Sequence, residues 1–196
     1  MDVSVPRLPA GEILKQLAEL FALPASDRHV YCVFGPYPAL RPFQRKLREQ
    51  VELGNLNRRG TVEYVSVNRA LVRQLKDAGT YDRAVRLADD RRDDELRRLV
   101  SAAFRELVTR RIEPDSVAGL VLADFELLYA HELGEHDVSL ARQVAINGKR
   151  VCLVVPGTMR DSRLWIFDED QESRRQFPEA LVFRNSGWVF ELAEEG

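Results

Sequence analysis

The apolar positions of this chain fall into two alternating rhythms, one helical and one extended. Residues 11–23, GEILKQLAELFAL, space Ile13, Leu14, Leu17, Leu20 and Phe21 at helical intervals, and Pro24 closes that helix. HVYCVF (29–34) is aromatic and β-branched and predicts a buried strand. The basic stretch after it predicts a helix with Pro42 in its first turn, running to about Leu53, where GNLNRRG breaks it. TVEYVSV (61–67) predicts a second strand. From Asn68 to Glu113 the pattern is helical in three segments. Asn68 is expected to cap the first, RALVRQLKDAG, and Gly79 to end it; the second begins at Thr80. The third, DDELRRLVSAAFRELVTRRI, carries acids at its start and arginines at its end, as the helix dipole favours. Its Leu96, Leu99, Val100, Ala103, Phe104 and Leu107 form one stripe, and Pro114 stops it.

The second half repeats the alternation. GLVLADF (119–125) predicts a buried strand, ELLYAHEL is short and apolar, and HDVSLARQVAIN predicts a helix closed by Gly148. RVCLVVPG (150–157) is a near-continuous apolar strand ending in Pro-Gly. WIF (165–167), a helix-like stretch at 168–177, ALVF with its core at 181–183, and WVFEL (188–192) complete the chain. Strands alternating with helices imply a mostly parallel sheet covered on both faces. No internal repeat or low-complexity linker divides the sequence. Residues 1–196 therefore read as a single α/β domain, with a helical lead-in over 1–28 and a helical insertion at about 68–113.

Composition narrows the class further. With 196 residues, 45% hydrophobic and 31% charged, the chain can bury a substantial core and is not disordered throughout. A net charge of −2 gives no global attraction to nucleic acid or to an anionic membrane. No apolar run approaches the roughly 20 residues that cross a bilayer, so no membrane contact is expected. The opening MDVSVPRLPAGE lacks the basic and apolar regions of a secretory signal, so a cytoplasmic location is expected. Cys32 and Cys152 lie inside apolar runs and read as buried thiols. With three scattered histidines they form no ligand cluster, and neither a metal nor another cofactor is expected. His29 is expected at the surface, and His131 and His136 flank a Gly-Glu loop. No Ser–His–Asp or Cys–His arrangement emerges, so no catalytic residue is assigned.

Parallel sheets bind ligands at the carboxyl ends of their strands. Three such ends carry residues of interest: Gly35-Pro36-Tyr37-Pro38, Asp124-Phe125-Glu126 and Pro156-Gly157-Thr158. In a nucleotide hydrolase they would be the phosphate loop, the metal-holding acids and a sensor. A phosphate loop needs successive N–H donors, a lysine and a magnesium-binding hydroxyl. Taking Gly35 as the first glycine of that motif puts Leu40, Arg41 and Pro42 where Gly-Lys-Ser/Thr belongs. Pro36, Pro38 and Pro42 each remove a donor. Gly35 and Arg41 thus mark a vestigial phosphate position. Alternation along an extended chain would bring Asp124 and Glu126 to one side, as a metal requires, although Glu126 equally suits the opening of a helix. Arg41, Arg45, Lys46 and Arg48 form a basic patch, which Asn57-Arg58-Arg59 would extend if the two clusters converge. Arg110 and Arg111 form another, and interleaved acids suit most of these clusters to a solvated face. Trp165, Phe167, Trp188 and Phe190 are candidate interface anchors, and suit a core equally.

Four segments carry a resemblance: VYCVFGPYPALRPFQRKLREQV, YVSVNRALVRQLKDAGTYDRAV, GLVLADFELLYAHEL and KRVCLVVPGTMRDSRLWIFDED. Their order over roughly residues 29–183 resembles the BrxB family of the BREX anti-phage systems. BrxF, a P-loop protein of another BREX subtype, is similar in strand order but has an intact phosphate loop, from which this chain departs at Leu40-Arg41-Pro42. The resemblance implies a three-layer P-loop-NTPase-like domain with five strands at 29–34, 61–67, 119–124, 151–155 and 181–183, in the order 5-1-4-3-2. Strands one and four would then be neighbours, bringing Cys32 and Cys152 close. It also implies a non-catalytic accessory subunit whose direct partner is PglZ, an alkaline-phosphatase-like protein, with other BREX subunits reached through it. The alternatives are a nucleotide-binding or weakly NTP-hydrolysing subunit using Arg41, Asp124 and Glu126, or a DNA-contacting subunit using the helix at 41–48.

Overall fold

Near-continuous apolar runs can be buried on both faces only inside a layered sheet, and such segments form its centre. The computed structural model describes residues 5–23, 29–56, 60–130, 148–160, 163–167, 175–176 and 188–193. In chain order the elements are β1 (Arg7–Leu8), α1 (Ala10–Ala22), β2 (His29–Gly35), α2 (Tyr37–Glu52), β3 (Thr61–Ser66), α3 (Val67–Asp77), α4 (Tyr81–Asp89) and α5 (Asp93–Ile112). They continue with β4 (Val117–Ala123), α6 (Glu126–Ala130), β5 (Arg150–Arg160), β6 (Arg163–Ile166), β7 (Arg175–Gln176) and β8 (Val189–Leu192).

The parallel sheet runs β1-β8-β2-β5-β4-β3, and β6 and β7 extend β5 as an antiparallel appendage. The central order β8-β2-β5-β4-β3 is the expected 5-1-4-3-2, that of a P-loop-type sheet. The fifth strand, however, is Val189–Leu192, paired with β2; the ALVF segment at 181–183 lies outside the described residues, as do the helices expected at 136–147 and over most of 168–177. Among the described residues the sheet has eight strands rather than five.

Alternation along the strands divides the core in two. Cys32, Phe34, Leu120, Leu122, Val151 and Leu153 face α3, α4 and α5. Tyr31, Val33, Val121, Ala123, Cys152 and Val154 face α1 and α2. The result is a helix–sheet–helix sandwich, with the 68–113 segment supplying nearly one whole helical layer. Register places Tyr31 opposite Cys152 and Cys32 opposite Leu153. The two cysteines therefore sit on adjacent strands, as expected, yet point to opposite faces. Both thiols are buried and free.

Three local expectations are corrected. The helix expected near Pro42 begins five residues earlier, at Tyr37, with Pro36 as its N-cap and Pro38 in its first turn. Proline's fixed φ is already helical, so the two prolines preorganise the start while Pro42 sits inside the helix. Asn68 does not cap α3, which follows Ser66 and has no side-chain cap. Pro156-Gly157 does not end β5, which continues to Arg160 and turns into the hairpin with β6. A Cβ on Gly157 would lie 2.5 Å from the Trp165 carbonyl oxygen, so only glycine permits that close pairing. By contrast, α5 spans Asp93–Ile112 as its charge gradient predicts, and Gly79 ends α3 at φ 66°. Among the described residues no helix is long and apolar enough to cross a membrane.

Candidate functional site

The crevice to consider lies at the carboxyl ends of β2, β4 and β5, where a fold of this order would bind a nucleotide. It is shaped first by how β2 enters α2. The strand runs to Gly35 and the helix starts at Tyr37, so Pro36 alone connects them. A phosphate loop encircles its anion with several successive N–H groups, and one residue cannot. Pro36 and Pro38 have no N–H, and those of Ala39 and Leu40 already donate to the Pro36 carbonyl. The first turn thus offers at most the N–H of Tyr37. Gly35 is backed against β8, where a Cβ would meet Leu192 Cβ at 3.0 Å. Arg41 is exposed on α2 beyond this turn.

A cavity of about 170 Å³ remains beside the connection, lined by Pro36, Tyr37, Pro156, Gly157, Arg160 and Phe167. Ligand pockets usually enclose about 300–1,000 Å³, so this one falls short of a nucleotide.

The two acids do not converge. Asp124 adopts φ 58°, a left-handed conformation that breaks the strand's alternation. Its charge acts on Tyr64, on the α1–α2 side of the sheet; burial, Asp124 and the buried Cys152 together push that phenol up to about 12, against the opposing pull of Arg48. Glu126 is instead held from the other side. Tyr37 donates its hydroxyl to Oε1 at 3.1 Å, and Asn68 donates Nδ2 to Oε2 at 2.6 Å. Asn68 Oδ1 also accepts the Leu127 N–H at 3.0 Å, and the Asn68 N–H donates to the Asp124 carbonyl. Asn68 is therefore a helix cap after all, but of α6 rather than of its own helix. This bracket joins the starts of α2, α3 and α6 across the strand ends. Tyr37 lay in the first strand-end segment with no role of its own expected, and Asn68 was expected only as the cap of α3. Among the described residues no three His, Cys, Asp or Glu side chains are grouped to hold a metal.

The remaining candidates separate in the same way. Arg41, Arg45 and Lys46 are exposed on α2, whereas Arg48 is half-buried and lies over the Tyr64 ring, 5.0 Å from its centroid. Arg58 and Arg59 fall outside the described residues. Arg110 pairs with Glu106 and Arg111 with Glu63. Of the aromatic anchors, Phe190 is 0% and Phe167 9% exposed, so both are core. Trp165 and Trp188 are half-buried.

His29, expected at the surface, is 5% exposed at the opposite end of the sheet. It stacks on Trp188 at 5.1 Å, and its Nδ1 lies 2.9 Å from the Tyr31 hydroxyl. Tyr31 in turn donates to the Leu20 carbonyl, and burial pushes its hydroxyl well above the usual phenol range. The buried Arg150 donates to the Leu23 carbonyl nearby, so this cluster fastens α1 to the sheet. His131 and His136 lie outside the described residues.

No family model matches this chain, and no curated protein matches it. Among solved structures, a DNA replication initiation factor is similar at a TM-score of 0.47 and 16% identity, over 93% of this chain and 44% of that one. The chain spans less than half the length of that structure, and no residue role passes from it to this one.

Proposed function

We propose that this chain is a non-catalytic interaction subunit of a BREX-type phage-defence assembly, acting in the cytoplasm and binding a PglZ-like partner of alkaline-phosphatase fold. The assembly and the partner rest on the resemblance of the four segments to BrxB. The absence of a catalytic role is supported chiefly by one observation: Pro36 alone occupies the position of a phosphate loop. The Tyr37–Glu126–Asn68 bracket adds to this, because it commits the carboxylate best placed for a metal to structural hydrogen bonds. Scaffolds that lose their chemistry keep a rigid surface, and function then resides in what that surface meets.

Affinity purification of the tagged chain, expressed together with the products of its neighbouring genes, tests the reading. Stoichiometric co-elution of an alkaline-phosphatase-like protein is expected. Elution free of every neighbouring product removes the proposal. The exposed row of Arg41, Arg45 and Lys46 favours a second reading, in which α2 touches DNA within the same assembly. That reading predicts binding that weakens steeply with salt, and it is eliminated by lack of binding at low salt.

A further inference from the structure

The outer edge of β3 carries a feature that the strand-end crevice does not use. Among the described residues β3 ends the sheet, with β4 on one side only. In a parallel edge strand every second residue turns its N–H and C=O outward, a template for another extended chain. Beside the carboxyl-terminal half of this strand lies a cavity of about 280 Å³, walled by Tyr64 and Ser66 of β3, Arg69 and Arg73 of α3, and Arg110 and Arg111 of α5.

Charge within it is graded. Arg111 is paired with Glu63 at 2.7 Å, and Arg110 with Glu106. Arg69 and Arg73 are exposed, lie one turn apart on α3, and have no carboxylate partner among the described residues. At the base of the groove the Ser66 hydroxyl oxygen is shielded from solvent and has no hydrogen-bond partner among the described residues. An edge with open main-chain valences, two unpaired cations and an orphaned hydroxyl fits an acidic extended polypeptide better than any other class of ligand. A continuous phosphate backbone meets the two cations but cannot add a strand to the edge of β3.

We propose that the outer edge of β3, flanked by Arg69 and Arg73, docks an extended acidic segment of a partner protein, which adds a strand beside β3. This rests on the reading of the chain as an interaction module and names the surface it uses. The spacing supports it. Four helical residues advance about 6 Å, and two residues of an added strand advance about 6.6 Å. Carboxylates at alternate positions of the guest strand therefore reach Arg69 and Arg73 together, while its main chain pairs with β3.

The test uses the full chain and three fluorescent probes. One is a ten-residue peptide of alternating Glu and Val; the second is a pair of the same peptide, N-methylated on its odd or on its even residues; the third is a single-stranded oligonucleotide of equal charge. The unmodified peptide is expected to bind, with affinity falling at least tenfold in Arg69→Glu/Arg73→Glu and at least tenfold on N-methylation. Both substituted positions are exposed, so the melting temperature is expected to stay within a few degrees. Should the variant fail to fold, the N-methylated peptides decide alone. No binding of the unmodified peptide, equal binding by both N-methylated ones, or tighter binding of the oligonucleotide overturns the proposal. If the charge-reversed variant still co-elutes with the alkaline-phosphatase-like partner, this surface is wrong and the interaction reading stands. If the unmodified chain co-elutes with nothing, that reading fails on its own.

Discussion

Asn68 shows how one residue can serve three neighbours at once, two through its side chain and one through its backbone. It donates to Glu126, accepts from the Leu127 N–H and offers its own N–H to the Asp124 carbonyl. Asn68→Ala strands part-buried groups on α6 and is expected to cost about 1–3 kcal/mol, read from denaturant midpoints. Asn68→Asp is the sharper variant, because it sets a second carboxylate 2.6 Å from that of Glu126. It is expected to destabilise more than alanine at neutral pH and to recover partly near pH 4, as one carboxylate takes up a proton. Equal losses at both pH values would mean that the bracket is not the contact described. The buried thiols contribute to the alkaline limit, beside the raised phenols of Tyr31 and Tyr64. Burial pushes Cys32 up to about 12 and raises Cys152, from an ordinary 9.0. The folded chain thus keeps protons that the unfolded chain releases, so stability is fully present below about pH 9 and falls as pH rises towards 12. Each thiol contributes a slope of up to about 1.4 kcal/mol per pH unit, and Cys32→Ala is expected to flatten that limb in pH-dependent denaturation curves.

At the scale of elements, four prolines and a glycine explain most of what the sequence left hidden. Charge gradients and a single apolar stripe made α5 legible to the residue, since both are local properties of the helix itself. The start of α2 was not legible. Pro36-Tyr37-Pro38 reads as a loop by composition, and only packing of Leu40 and Phe43 against the sheet turns it into a helical turn. Pro42 then lies inside the helix and leaves the Pro38 carbonyl without its intrahelical donor. Because Pro42 is exposed, Pro42→Ala is expected to stabilise by about 1–2 kcal/mol, the restored bond outweighing the looser unfolded chain. A lower melting temperature would contradict this account of α2. Pro156-Gly157 misled in the opposite sense, because hairpin pairing with β6 carries β5 through it. Gly157→Ala forces a Cβ against the Trp165 carbonyl and is expected to cost about 1–3 kcal/mol, measured by chemical denaturation.

For the whole molecule, alternation of apolar runs was enough to imply a mostly parallel sheet covered on both faces, while the strand order came from the resemblance. It was not enough to choose between ALVF and WVFEL, two short apolar runs, for the strand beside β2, which is β8. Nor did it separate Asp124 from Glu126, since a single left-handed residue undoes an inference built on alternation. The candidate site was legible in its place and not in its geometry: the strand ends were identified, while Tyr37 and Asn68, which close them, carry no signature of their own. That closure is the central claim about this chain, and it is tested most directly by calorimetric titration of the purified protein with millimolar ATP and GTP in the presence of magnesium, alongside thermal melts. No heat of binding and no shift in melting temperature are predicted, because a one-residue connection cannot cradle a triphosphate. Saturable binding that raises the melting temperature and is lost in Arg41→Ala would contradict the account.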